Sequence, residues 1–494
     1  MDRGQTLESV RERTTPWDIV VIGGGATGVG CAVDAATRGY DVLLLEQHDL
    51  GKGTSSRSTK LIHGGVRYLR QGDVSLVRES LRERGILLRN APHVVHKQAF
   101  VIPCYSVWQK LYYGAGLKIY DLLSGKYSLG RFRSLSKTET LEKLPTIRTE
   151  RLAGGVLYYD GRFDDTRLLF DLAATAAGHG ASILNYAKVN SFVKDSSGSV
   201  AGLVFENIET GERFTVSARA VINATGMFTD VIRTMSDVDA KQIVAFSQGV
   251  HLVLDGKFLA GGDAIMIPKT SDGRVLFCIP WHSHTLIGTT DTPVETANLE
   301  PSALDAEIDF ILDTAGEYLN QPPKRADVMS VFAGIRPLIK SGGAEQTSLI
   351  SRGHDLFVDD SGLVTITGGK WTTYRRMAED AVNKAAEVGG LKTVPSATAP
   401  LSIEQTSQEQ SGPLLHNALP YTESDVVNAV RDEMARTVED VLARRTRALF
   451  LNAEAAIEIA PRVATIMAAE FGYGQEWIDE QVEDFERTAA GYRL

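Results

Sequence analysis

The chain has 494 residues, 43% of them hydrophobic, and a formal net charge of −10 from 52 Lys and Arg against 62 Asp and Glu. Its mean hydropathy is −0.09, no run approaches the ~18 apolar residues of a membrane span, and an acidic chain lacks the basic excess of a nucleic-acid binder. Three scattered cysteines (Cys31, Cys104, Cys278) form no CxxC, which fits a reducing compartment and gives no disulfide or zinc framework.

The length predicts two or three domains. Arg11 and Arg13 precede the uncharged run IVVIGGGATGVGCAV, which has the outline of a secretory leader. Asp18 and Asp34 bracket that run, and three consecutive glycines suit no leader helix. It reads instead as strand, tight turn and helix, followed by a second strand. Ile19–Ile22 is a short β-branched run suited to a buried parallel strand. Gly23, Gly25 and Gly28 give G-x-G-x-x-G, with Gly24, Ala26 and Thr27 completing the turn. The glycines serve the turn, a close backbone approach to a pyrophosphate, and helix–strand contact. A helix from Ala26 to about Arg38 aims its positive end at phosphate. Glu46 ends the second strand, 23 residues after Gly23. A carboxylate there accepts ribose hydroxyls and repels a 2′-phosphate.

TSSRSTKLIHGGVRYL, residues 54–69, packs Arg57, Lys60, Arg67 and His63 around Gly64-Gly65. It is too basic for a core strand and too glycine-broken for a surface helix. In VWQKLYYGAGLKIYDLL, Trp108, Leu111, Tyr112, Ala115, Ile119, Leu122 and Leu123 share one helical face, with Lys110 and Lys118 outside it. That face suits a membrane interface or the protein's own core. Strand Ala220–Asn223 runs into Ala224-Thr225-Gly226, small residues that let a nucleotide approach. Paired with the N-terminal fingerprint, it favours a discontinuous FAD domain over an NAD domain.

SQGVHLVL places His251 in a strand-like alternation. His282 and His284 read as loop. GIRPL predicts a turn that holds Arg336 stiffly, and SLISRGHDL carries Arg352. Guanidinium groups fork onto phosphate oxygens. LVTITGGKWTTYRRMAEDAV reads as strand, Gly368-Gly369, then helix, with Lys370 and Thr372 at its start. Residues 391–420 are rich in Pro, Ser and Gln and read as a linker. YTESDVVNAVRDEMARTVEDVLARRTRALF starts a helix with a capping box at Thr422 and Asp425, and two more helices follow, their charged faces solvated or interfacial.

In order, IGGGATGVG, TSSRSTKLIHGGVRYL, INATG, IPW…TLIGTTDT, FAGIRPL and TGGKWTTYR resemble the FAD-dependent glycerol-3-phosphate dehydrogenases of the D-amino-acid-oxidase-like flavoprotein superfamily. The resemblance covers roughly residues 17–385 and a helical C-terminal domain. It implies a Rossmann-like FAD-binding domain (17–90, 145–235, 350–390), a mixed-sheet α+β substrate domain (91–144, 236–349) and an all-α domain (421–494). It implies that residues 54–64 wrap the FAD. Thr54, Ser55, Ser56 and Ser58 would meet its pyrophosphate, Lys60 would add charge, and Leu61, Ile62, His63 and Gly64 would lie along the ring. Arg67 and Tyr68 would enter the substrate pocket with Arg336 and Arg352. Lys370, at a helix start, would face the flavin N1–C2=O edge. Oxidation of a secondary alcohol needs a hydride acceptor and a proton acceptor, and His63 and His251 are the candidate bases. The sequence departs from the family in one place: Gln248 stands where a lysine is usual, which removes one cation near the expected site. The expected reaction takes sn-glycerol 3-phosphate to dihydroxyacetone phosphate and passes electrons to a quinone. An oxygen-using oxidase and a non-catalytic flavin protein are the alternatives. Peripheral contact with the inner face of the cell membrane from the cytoplasm, and a homodimer, are further expectations; no metal site is expected.

Overall fold

The structure, a computed structural model, describes residues 1–66, 69, 73–340, 353–406 and 410–494. Its first sheet runs, edge to edge, His354–Val358, Val364–Gly368, Arg213–Asn223, Trp17–Ile22, Val42–Leu45 and Ser182–Leu184. Along this path four pairings are parallel and the one at the His354–Val358 edge is antiparallel. Ile19, Val20 and Val21 are fully buried, as a strand covered on both faces requires. Helices Ala26–Thr37, Asp165–Gly178 and Tyr374–Val388 cover one face. The other is closed by Phe205 and Phe214, stacked on an antiparallel extension of the sheet, and by Val10 of the first helix.

The predicted Ile19–Ile22 strand and Ala26 helix are both present. Helix Ala26–Thr37 ends one residue before the expected Arg38. Gly28 has a structural reason: a Cβ there would lie 1.8 Å from the Gly23 carbonyl oxygen.

A second, ten-stranded sheet runs Thr292–Val294, Val244–Asp255, His284–Gly288, Leu276–Trp281, Ala264–Ile267, Val95–Cys104, Gly154–Phe163 and Leu61–Ile62. Val328–Ile339 pairs along Val244–Asp255, and Arg133–Leu135 along Gly154–Phe163. Gly154–Phe163, within the span given from sequence to the first domain, thus belongs to this second sheet. Arg336 is a correction: it sits within strand Val328–Ile339 rather than in a turn. Among the described residues the strand pairs only with Val244–Asp255, and an edge strand tolerates Pro337, which has no N–H to donate.

Within the expected linker, residues 391–406 pack against the rest of the protein. The Lys392 and Val394 carbonyls accept from Tyr40 and Arg38, and Ile403 is buried. A short hairpin, Leu414–His416 with Leu419–Thr422, then leads into helices Glu423–Arg431, Ala453–Phe471 and Gln475–Ala489. The helix expected to start at Thr422 is present with its capping box, and it is short. The chain breaks after Arg431 and makes a π-helical turn, Asp440–Arg445, and a four-residue helix, Ala448–Leu451. Arg444, Arg445 and Arg447 are buried rather than solvated. Arg444 Nε and Arg445 both meet Asp49, the first at 2.5 Å, and Arg447 Nη2 donates to the Ser56 carbonyl at 2.8 Å. Lys52 meets Glu439 at 2.7 Å. The helical domain therefore grips residues 49–56 at several points, and the Asp49 pairs with Arg444 and Arg445 are buried on both sides, where removing one partner costs ~3–5 kcal/mol.

Candidate active site

A cavity of about 690 Å³ opens between the two sheets, within the ~300–1,000 Å³ range of cofactor and small-molecule sites. Its first-sheet end is the glycine turn. Gly23, Gly25, Ala26 and Thr27 line it, with Glu46 at the end of the neighbouring strand. Ser55 Oγ accepts from the Ala26 N–H at 2.9 Å, so the serine caps the helix while its own hydroxyl proton stays available to an anion at the helix N-terminus. Glu46 accepts from the Gly24 N–H at 2.7 Å and the His48 N–H at 2.9 Å. Each oxygen keeps a second lone pair for a ribose hydroxyl. Burial raises this carboxyl above its usual range, opposed by those two bonds.

The far end is built from the second sheet, the end of strand Val364–Gly368 and the start of helix Tyr374–Val388. Gly368 and Gly369 adopt φ of +77° and +72°, which a side chain would strain. A Cβ on Gly369 would also lie 2.3 Å from Met377 Sδ. Lys370 follows, with Nζ 3.3 Å from Ser80 Oγ. Thr372 Oγ1 accepts from the His63 N–H at 3.2 Å, which ties that segment to the same turn. Opposite lie His251, Gly249, Thr289 and Arg336. Arg336 donates to Thr290 O at 3.1 Å and Thr289 Oγ1 at 3.0 Å, with Asp291 at 3.5 Å. Its guanidinium lies directly over Gly249, where a Cβ would stand 2.2 Å from Nη2. One charged fork thus faces the cavity floor, across from a helix start carrying a lysine.

The FAD dependent oxidoreductase family model matches residues 18–375, and the model for the C-terminal domain of alpha-glycerophosphate oxidase matches 367–478. Mitochondrial glycerol-3-phosphate dehydrogenase of Homo sapiens is 39% identical over 531 residues, covering 96% of this chain and 73% of that protein. The Arabidopsis thaliana enzyme of that description is 40% identical, covering 92% and 83%. The chain belongs to the FAD-dependent glycerol-3-phosphate dehydrogenases. A solved glycerol-3-phosphate dehydrogenase from Bacillus halodurans, complexed with FAD, superposes with a TM-score of 0.79 at 30% identity, covering 99% of this chain and 97% of that one. L-alpha-glycerophosphate oxidase from Mycoplasma pneumoniae shares the fold at 16% identity and a TM-score of 0.59.

This dehydrogenase uses FAD, and the cavity fits it. The glycine turn, Ser55 and Glu46 suit the pyrophosphate and adenosine half. Thr225, Gly226, Leu61, His63, Gly368, Gly369, Lys370 and Thr372 line the remainder with Thr54 and Ser58.

Other expected contacts do not reach it. Lys60 is fully buried, its ammonium 2.6 Å from Asp165 and 2.7 Å from the Ser56 carbonyl. Trp281, Phe332 and Phe450 surround that ammonium. Its charge neutralises Asp165 rather than a pyrophosphate, and burial pushes its pKa down to about 7. Ser56 is buried and donates to Gly53 O. Ser58 lines the cavity but donates its hydroxyl proton to Asp165 at 2.7 Å. Among the three serines, only Ser55 has a hydroxyl proton with no acceptor among the described residues. Gly24, Gly28, Ile62 and Gly64 act behind the wall; the Gly64 N–H donates to Tyr120 Oη at 2.9 Å.

Gln248 also needs correction. Strand alternation puts Gly249 and His251 on the cavity face and Gln248 on the other, where Nε2 donates to Glu307 at 2.8 Å. The missing lysine therefore subtracts nothing from the cavity. Arg67, Tyr68 and Arg352 lie outside the described residues. Sequence reading missed Thr59, Thr289 and Asp160, which also line the cavity. Asp160 is held by Arg84 at 2.7 Å and Tyr120 Oη at 2.8 Å, and burial raises its pKa.

Proposed function

We propose that this glycerol-3-phosphate dehydrogenase takes hydride from C2 of sn-glycerol 3-phosphate and passes the electrons to a membrane quinone from the inner face of the cell membrane. The observation that carries the substrate end is the Arg336 guanidinium, held over Gly249 and facing the cavity. Its planar fork matches a phosphate in two parallel N–H···O bonds. Bound FAD supplies the two-electron acceptor. His63, which lines the cavity and whose backbone is pinned by Thr372, receives the C2 hydroxyl proton. Lys370 and the start of helix Tyr374–Val388 hold positive potential against the pyrimidine edge of the ring.

The acceptor reading rests on helix Val107–Ser124. Leu117 and Tyr120 pack inward, while Trp108 (81% exposed), Leu111, Tyr112, Ile119 and Leu122 face out with Val107. Six large apolar side chains on one exposed face suit a lipid surface; no helix among the described residues is long and apolar enough to cross a membrane. The test compares acceptors. With glycerol 3-phosphate in air, a water-soluble quinone analogue should be reduced faster than oxygen, with dihydroxyacetone phosphate formed in equal amount. Peroxide equal to product, with the quinone unchanged, would favour an oxidase.

A further inference from the structure

The imidazole of His251 is confined on every side. Phe332 stacks on it with centroids 4.9 Å apart and planes 16° apart. Gly288 closes against the ring edge, where a Cβ would stand 2.3 Å from Cδ2. Nε2 is 2.9 Å from Thr59 Oγ1. Nδ1 is sealed from solvent and has no hydrogen-bond partner among the described residues. The charged groups bearing on the ring are Lys60, whose ammonium lies 5.3 Å from the Phe332 ring, and Arg336. Burial first, then those two cations, hold His251 well below its usual pKa. The ring is therefore neutral in the working range.

A neutral imidazole carries one N–H. Placed on Nδ1, it would be a buried donor with no acceptor and would leave Nε2 to accept from Thr59, and an orphaned buried N–H is rare in the backbone, where the same balance holds. The hydrogen-bond partners thus assign the proton to Nε2, which donates to Thr59 Oγ1. This has a consequence at Thr59. Its hydroxyl proton then has no protein acceptor among the described residues, on a side chain that lines the cavity. Thr59 also sits at the junction of the two halves of the site. It lies four residues after Ser55 at the helix N-terminus and four before His63, and it meets the second sheet at His251.

We infer that Thr59 is a hydrogen-bond donor to the reacting C2 oxygen of the substrate, aimed by His251, and that His251 takes no proton in the reaction. The inference rests on the glycerol 3-phosphate reading above. In the balanced step the C2–H electron pair leaves with its hydrogen to bound FAD. The C2–O–H proton goes to His63, and the C2–O single bond becomes the carbonyl. Thr59 keeps its proton throughout. Its bond fills one lone pair of the oxygen, turns the substrate's own O–H toward the base, and strengthens as negative charge gathers on that oxygen. Removing one preorganised donor from an oxyanion hole costs ~10²–10³ in kcat, and a donor to an alcohol oxygen that gathers less charge should give less.

The test uses FAD-loaded full-length enzyme carrying Thr59→Val, Thr59→Ser or His251→Phe. Thr59→Val should lower kcat about 10- to 100-fold. The Kd for FAD, titrated into apoprotein, and competitive inhibition by inorganic phosphate should each change less than about twofold, since neither depends on the reacting oxygen. Thr59→Ser should restore most of the rate. His251→Phe keeps the stack on Phe332; it should lower kcat yet leave the acid limb of the kcat/KM–pH profile in place. The inference falls if Thr59→Val stays within threefold of wild type, if its loss is accounted for by weaker FAD binding, or if the acid limb vanishes with His251→Phe. A wild-type enzyme that does not turn over glycerol 3-phosphate at all would instead refute the substrate reading.

Discussion

Gly249→Ala isolates the role of Arg336 without touching its charge. An added Cβ would stand 2.2 Å from Nη2, 2.6 Å from Cζ and 2.7 Å from Nη1 of Arg336, where ordinary contact begins near 3.4 Å. The guanidinium must therefore move by about 1.2 Å, the difference between 3.4 and 2.2 Å. The three nearest atoms to that Cβ are all the end of a flexible side chain, which can give way while the backbone stays in register. The move weakens the bonds to Thr289 and Thr290, with a stability loss of about 1–2 kcal/mol. A 1 Å misplacement of a substrate-positioning group costs up to ~10²-fold, or about 2.7 kcal/mol of transition-state stabilisation. Steady-state kinetics should show kcat/KM for glycerol 3-phosphate down about 10- to 100-fold, while FAD stays bound. A change below threefold in a folded, yellow protein would remove Arg336 from the substrate site.

Gly28→Ala should abolish FAD retention, because its Cβ meets the Gly23 carbonyl oxygen of a fixed turn at 1.8 Å; a yellow variant would contradict the turn geometry. Trp108→Ser with Leu111→Ser should release the protein from vesicles of anionic lipid while sparing activity with a soluble dye; unchanged partitioning would return that helix face to another role. Burial, reinforced by Lys52, holds folded His48 down to about 4, whereas the unfolded side chain titrates near 6.5. Between those values the unfolded chain binds the extra proton, so stability is lost as pH falls from about 6.5 toward 4 and is unaffected above. His48→Gln should flatten that part of the stability–pH curve, and an unchanged slope would show that another group titrates there.

The first sheet was legible because its signals are local. A β-branched run, three glycines at fixed spacing and Glu46 at a strand end lie within 30 residues and obey one steric logic. The second sheet was not, since Val244–Asp255 pairs with three strands, the most distant pair being Val244 with Ile339. Only that pairing decides which face each side chain takes, so His251 and Arg336 came together while Gln248 turned to Glu307. A Pro next to Arg336 suggested a turn, and strand-edge position overrode it. Lys60 read as a charge on the FAD, and the arginines of LARRTR as part of a solvated or interfacial face, because their partners, Asp165 and Asp49, are remote in sequence. Charge runs are usually solvated; here carboxylates delivered by the fold bury them. Thr59 carried no signal at all, and it acquires meaning only from the sealed nitrogen of His251.

The most direct measurement is anaerobic. Purified protein mixed with one equivalent of sn-glycerol 3-phosphate, with no other acceptor, should lose its oxidised flavin absorbance in a single turnover and yield dihydroxyacetone phosphate in proportion to the FAD reduced. The enantiomer, and glycerol without phosphate, should leave the spectrum largely unchanged on the same timescale. A flavin spectrum indifferent to glycerol 3-phosphate, or bleached equally well by glycerol, would contradict a site built around the Arg336 fork.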